Sequence, residues 1–282
     1  FNGDKFLDKF HGQEQLLRDF AALWRDRLTL DVEAFTIDEF KTWLTDSTDD
    51  GKDDLLEALY QVYDLCTEAG HLDLLAACEQ SKYEPDPDNE LPVECLALLV
   101  RTQRRLVFLL AYDRYNFSNA ERFSIFQGEC GRPIQDLKKA TQTLKKRLAS
   151  EFKKAKNSER VLVRSYEEDG RVNFVIYHEK RTKATLILKG PTERLKVRPH
   201  IFRPAQQDFV SYDPETGRVE IESGVPSEET KLRQCFAESC FGDADFFDGP
   251  HADDRISLDV LTDPNFSFRC PEKVTVKLVS VR

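Results

Sequence analysis

The chain has no methionine, no C-x-x-C pair, no Gly-rich phosphate loop and no long apolar run. Each absence removes something. Without G-x-G-x-x-G or a Walker-type loop, the familiar modes of dinucleotide and P-loop binding have no support. No serine stands in a G-x-S-x-G elbow, so an α/β-hydrolase arrangement has none either. The longest apolar stretch runs over residues 106–112, far short of the roughly 20 residues a membrane helix needs, and no membrane partner is expected. Residues 1–10 include Asp4, Lys5, Asp8 and Lys9 and hold no signal-peptide core. The seven cysteines (Cys66, Cys78, Cys95, Cys130, Cys235, Cys240 and Cys270) are odd in number and scattered. That pattern argues against a disulfide framework and for a reducing, cytoplasmic setting. The missing methionine is an unusual composition for 282 residues, but 40 % hydrophobic residues with 20 Phe suffice for real cores.

What is present is charge, sorted by position. Residues 1–100 carry 8 Lys and Arg against 24 Asp and Glu, residues 101–204 carry 25 against 11, and residues 205–282 carry 8 against 16. The net charge of −10 therefore hides a middle segment at +14 between segments at −16 and −8. Such sorting is an argument about partners rather than fold. It points to nucleic acid or another polyanion, or to an acidic protein surface on this chain or another.

The first half has helical periodicity. Residues 13–28 place Leu16, Leu17, Phe20, Leu23, Trp24 and Leu28 on one face. Thr36 and Glu39 form a capping box. Residues 55–69 predict a helix stopped by Gly70, and 72–79 another. The acidic segment 84–92, with three prolines, reads as a loop. Residues 93–115 predict one apolar helix, whose run Leu106, Val107, Phe108, Leu109 and Leu110 has no polar face and belongs at the centre of a core. Ser118 and Glu121 predict a further capped helix ending at Gly128. Pro133 then opens a long helix to about residue 156.

After residue 157 the period changes to 2. Residues 160–166 and 171–178 flank the turn Glu167-Glu168-Asp169-Gly170, and 208–212 and 218–222 flank Asp213-Pro214-Glu215-Thr216-Gly217, so both read as hairpins. Residues 183–189 and 194–202 are further strands, the latter bent or ended by Pro199. Ser227 is expected to cap a helix over 228–241 closed by Gly242, and 256–261 and 274–281 are expected as strands. Consecutive hairpins argue against a parallel doubly wound sheet. The expected fold is an all-helical domain over 1–157 followed by an α+β domain over 158–282, mainly antiparallel sheet.

Two basic features stand out in the middle segment. The long helix carries Lys138, Lys139, Lys145, Lys146, Arg147, Lys153, Lys154 and Lys156 against Asp136 and Glu151. The strand over 194–202 alternates Arg194, Lys196, Arg198 and His200 with Leu195, Val197 and Ile201, which puts the basic groups on one face and the apolar ones toward a core. If it pairs with the strand holding Arg160 and Arg164, the two make one basic sheet face, with Tyr166, Tyr177 and Phe202 available to stack on bases. Lysine dominance favours non-specific phosphate attraction over base reading. The bland alternative for both is a solvated surface.

Other groupings are weaker. Residues 242–254 gather Asp243, Asp245, Asp248, Asp253, Asp254 and His251, but not at EF-hand spacing. Glu229-Thr230-Lys231 has an E-x-K spacing on a helix, and Glu220 and Glu222 share a strand face without a following lysine. No two of the five histidines are spaced as a metal pair. His178 falls on the face of Val172, Phe174 and Ile176 and reads as a core residue. Cys130 precedes the basic helix, whose dipole and lysines would lower its pKa. The sequence thus predicts a non-enzymatic binding protein without cofactor or metal. Its basic middle segment would engage nucleic acid or another polyanion in a regulatory or genome-defence setting, with a homo-oligomer as a further partner. One alternative is an assembly module docking an acidic protein surface; the other is a metal-dependent nuclease or other enzyme with a dispersed site.

Overall fold

The computed structural model describes residues 3–85, 91–120, 122–154, 158–189, 196–249 and 252. N-terminal helices are followed by an antiparallel sheet region, and the chain divides at Arg122/Phe123 into two compact units.

The first unit holds α1 (Gly3–Leu7), α2 (Glu14–Ala21), α3 (Ile37–Asp46), α4 (Lys52–Asp64), α5 (Glu68–Gln80), α6 (Val93–Gln103) and α7 (Arg105–Ser118). Phe10, Phe20, Phe40, Leu59, Leu74 and Phe108 belong to its single apolar core. The capping box at α3 forms: Thr36 Oγ accepts from the Glu39 amide while the Glu39 carboxylate accepts from the Thr36 amide at 2.7 Å. Three expectations change. The helix expected over 13–28 leaves α-geometry after Ala21 and continues as a 3₁₀ segment with a kink at Trp24. Gly70 does not stop a helix but lies in the first turn of α5, where Thr67 Oγ accepts its amide at 3.0 Å. The apolar segment 93–115 breaks at Arg104 (φ −139°, ψ 63°). The break turns Leu106 outward, 81 % exposed, while Phe108 and Ala111 stay buried. Among the described residues no helix is long and apolar enough to cross a membrane.

The second unit holds β1 (Ser124–Gln127), α8 (Leu137–Lys154), β2 (Val161–Glu168), β3 (Arg171–Glu179), β4 (Lys183–Lys189), β5 (Lys196–Phe202), β6 (Ala205–Asp213), β7 (Arg218–Glu222) and α9 (Pro226–Phe241). Five strands form one antiparallel sheet in the order β1-β7-β6-β3-β2. Leu144, Leu148 and Phe152 of α8 and Leu232 and Phe236 of α9 bury one face of it, against Val163, Phe174, Ile176, Val210 and Ile221. Helix α8 therefore belongs with the sheet, and the division falls well before residue 157. The β2–β3 turn places Asp169 (φ 50°) and Gly170 (φ 78°) left-handed, as a two-residue I′ turn requires. Residues 124–127, expected inside a helix, form β1 instead and pair with β7. Helix α8 begins at Leu137 rather than Pro133, since Asp136 Oδ1 accepts the Lys139 amide at 2.9 Å and acts as the cap.

Strands β4 and β5 form a separate two-stranded sheet. They are inserted between β3 and β6, which pair directly with each other, and Lys180 N donates to Pro204 O at 2.8 Å where the hairpin leaves the main sheet. The strands expected over 256–261 and 274–281, and Cys270, lie outside the described residues.

Candidate polyanion-binding surface

The register of the β4–β5 hairpin sorts its side chains. The pairs Lys183/Phe202, Thr185/His200 and Ile187/Arg198 share one face, and alternation adds Lys196 to it. The pairs Ala184/Ile201, Leu186/Pro199 and Leu188/Val197 share the other. Alternation correctly separates the two sets, but Val197 and Ile201 face no core: they are 63 % and 66 % exposed. Strand β5 pairs with β4 and not with β2, so the expected joint face with Arg160 and Arg164 does not form. Pro199 lies inside β5 without ending it, which a two-stranded ribbon tolerates because both strands are edges. His200 stacks on Phe202, with ring centroids 5.5 Å apart. Among the described residues Lys183, Lys196 and Arg198 make no ion pair, and Arg194 lies outside them.

At the root of the hairpin is a cleft of about 940 Å³, bounded by Phe152, Lys180, Arg181, Lys183, Gln206 and Lys231 together with the start of α9. Lys180 is tied to Glu228 at 2.8 Å. Arg181, Lys183 and Lys231 have no ion pair among the described residues. Helix α9 opens at Val225 with no side-chain cap and Pro226 in its first turn. Ser227, expected to be the cap, instead lines the cleft. Pro226 has no amide hydrogen and the Glu228 and Glu229 amides donate to Val225 O, so the start of α9 adds the Ser227 amide and the positive end of the helix dipole to the cationic side chains. The K-R-T-K run at 180–183 is the sequence signal for Lys180, whereas nothing in the sequence places Lys231 beside it.

The lysine-rich helix divides into two sets. Arg147 pairs with Glu238 at 2.7 Å, Lys153 with Glu159 at 2.7 Å and Lys154 with Glu151 at 2.6 Å. The hydrogen bonds that Lys153 and Lys154 donate to Glu159 and Glu151 hold both above the ordinary lysine pKa. Lys138, Lys145 and Lys146 are exposed and make no ion pair among the described residues. Of these, Lys145 borders a shallower cavity of about 440 Å³ with Arg160, Tyr177, His178 and Ala205. Ala205 also borders the larger cleft. Lys145, Arg160, Lys180, Arg181 and Lys183 consequently lie along one end of the sheet, where β2 begins and β3 ends. Lys138 is two helical turns away from Lys145 along α8.

His178 is a core residue. Its Nε2 lies 2.9 Å from Asp208 Oδ2, and both side chains are almost fully buried. Gln206 Nε2 donates to Asp208 Oδ1 at 2.6 Å, and Phe152 stacks on the imidazole at 4.2 Å. The acidic segment behaves as a surface turn. Asp243 Oδ1 accepts the Asp245 amide at 2.9 Å, Asp248 pairs with Arg233 at 2.8 Å and Phe247 is buried; His251, Asp253 and Asp254 lie outside the described residues. Glu220 pairs with Arg171 and Arg218, and Glu229 accepts from Ser124 Oγ at 2.7 Å. Among the described residues no three His, Cys, Asp or Glu side chains are grouped to hold a metal. Cys130 is exposed and donates to Thr216 O at 3.0 Å. It lies seven residues before the start of α8 at Leu137, outside the helix.

The chain matches no protein-family model and no curated protein sequence.

Proposed function

We propose that the second unit binds a nucleic-acid strand, following its phosphates along the cationic face of the β4–β5 hairpin and the basic end of the sheet. The observation that carries this reading is the hairpin itself: Lys183, Lys196 and Arg198 stand on one exposed face without ion pairs among the described residues. Solvated surfaces usually intersperse both signs, as the paired end of α8 does. The seven-residue strands give a face about 20 Å long. His200 and Phe202 supply an aromatic pair on that face, and base stacking on such pairs is indifferent to sequence. Together with the prevalence of lysine, this favours a single strand read through its backbone over a duplex read in its grooves.

The experiment is fluorescence anisotropy with single- and double-stranded oligonucleotides at low and moderate salt. The intact protein is expected to bind at low salt. The double variant Lys196→Glu/Arg198→Glu should weaken binding at least about tenfold while circular dichroism is unchanged. No binding at low salt, or no loss in the variant, refutes the proposal.

A second reading, docking to a protein surface, is favoured by one observation. The opposite hairpin face exposes Leu186, Leu188, Val197 and Ile201, and exposed apolar patches commonly mark protein contacts. It takes precedence if oligonucleotides fail to bind.

A further inference from the structure

We propose that the cleft at the root of the hairpin receives the terminal phosphate of the bound strand, so that the protein recognises a phosphorylated end. This inference rests on the strand-binding reading above. The cleft, at about 940 Å³, is within the range of small-ligand sites and suits one nucleotide rather than a duplex.

Its lining matches a phosphomonoester better than a phosphodiester. A terminal phosphate carries about −1.5 to −2 charges near neutral pH and offers three strong acceptor oxygens, whereas an internal linkage carries one charge. Arg181, Lys183 and Lys231 approach the space from the chain leaving β3, from β4 and from α9, without ion pairs among the described residues. Thr182 and Ser227, the latter in the first turn of α9, also border it and carry hydroxyl donors. Charge-assisted donors of this kind are the strong ones. Glu228 would oppose an anion, but Lys180 neutralises it at 2.8 Å.

The inner wall is braced. Phe152 is backed by the His178 ring at 4.2 Å, and Gln206 is held by Asp208 at 2.6 Å. A strand therefore ends there rather than threading past. Lys183 belongs to both the cleft wall and the cationic hairpin face, which makes the two continuous.

The test compares one oligonucleotide carrying a 5′-phosphate, a 3′-phosphate or only hydroxyl ends, with the intact protein. One phosphorylated form is expected to bind about tenfold tighter than the hydroxyl form. Lys231→Gln should erase that preference and leave the affinity for hydroxyl ends nearly unchanged. Arg198→Gln should weaken all three forms alike and keep the preference. Equal affinities for the three forms overturn the inference and leave the strand-binding reading standing. Displacement of the oligonucleotide by an equimolar nucleoside monophosphate also overturns it, because the cleft would then be a small-molecule site. If no oligonucleotide binds, both readings fall together.

Discussion

Burial decides which side chains in this protein are available for chemistry. Desolvation pushes the Cys66 thiol up to about 12, those of Cys78, Cys95 and Cys235 up to about 11, and that of Cys240 higher still. Cys130 alone among the described cysteines is exposed. A raised thiol pKa leaves less thiolate at any given pH, and thiolate is the nucleophile. A short iodoacetamide pulse at about pH 8 is therefore expected to modify Cys130 first among these six, the others following only in denaturant. Peptide mass mapping reads this directly, and equal labelling of Cys240 would contradict it. His178 obeys the same rule in another form. Its alternation with Val172, Phe174 and Ile176 placed it on the buried face, and it finds Asp208 there at 2.9 Å. A sequence shows the face but not that partner, because Asp208 lies 30 residues away on a neighbouring strand.

The hairpins show what local chemistry determines and what it does not. Asp169-Gly170 and Asp213 to Gly217 specify their turns through left-handed glycines and an Asp side chain that accepts following amides, so both hairpins were legible from a few residues. The same holds for the Thr36 capping box. Elements set by competing signals were not. Pro133 is acceptable in a first turn, yet Asp136 caps α8, and β1 exists only because β7 is there to pair with it. Alternation in β5 gave the right division into basic and apolar residues, but no periodicity says whether an apolar face is covered. This has a measurable consequence. Ile176 is fully buried, while Ile201 is mostly exposed. Ile176→Ala is expected to cost about 2–5 kcal/mol, the range for emptying a core site. Ile201→Ala should stay within about 0.5 kcal/mol. Urea unfolding of the two variants checks the contrast, and a large loss at Ile201 would mean that its face is covered in solution.

Charge looks different on the scale of the whole molecule. The unit boundary assigns 13 basic and 26 acidic residues to residues 1–122, and 28 and 25 to residues 123–282. The second unit is thus close to neutral overall. Its share of the basic stretch, residues 123–204, carries 20 basic against 9 acidic residues and is offset by the 8 against 16 of residues 205–282, among them Glu238, paired with Arg147 of α8, and Glu220, paired with Arg171 of β3. Net charge therefore does not carry the proposed binding; the arrangement of unpaired cations does. A protein at −10 overall repels a polyanion at long range, so attraction has to arise within a Debye length of about 10 Å at 0.1 M salt. Affinity should accordingly fall steeply with salt, by a slope of about 0.7 per phosphate neutralised on a single strand. Replacing Lys183, Lys196 and Arg198 together by Gln is expected to reduce that slope by about 2, while replacing Lys138, Lys139 and Lys146 leaves it nearly unchanged. The two variants lose the same formal charge, so a response to total charge would flatten both slopes alike. A response confined to the hairpin variant places the contact on the hairpin, and the reverse pattern would move the site to the outer face of α8.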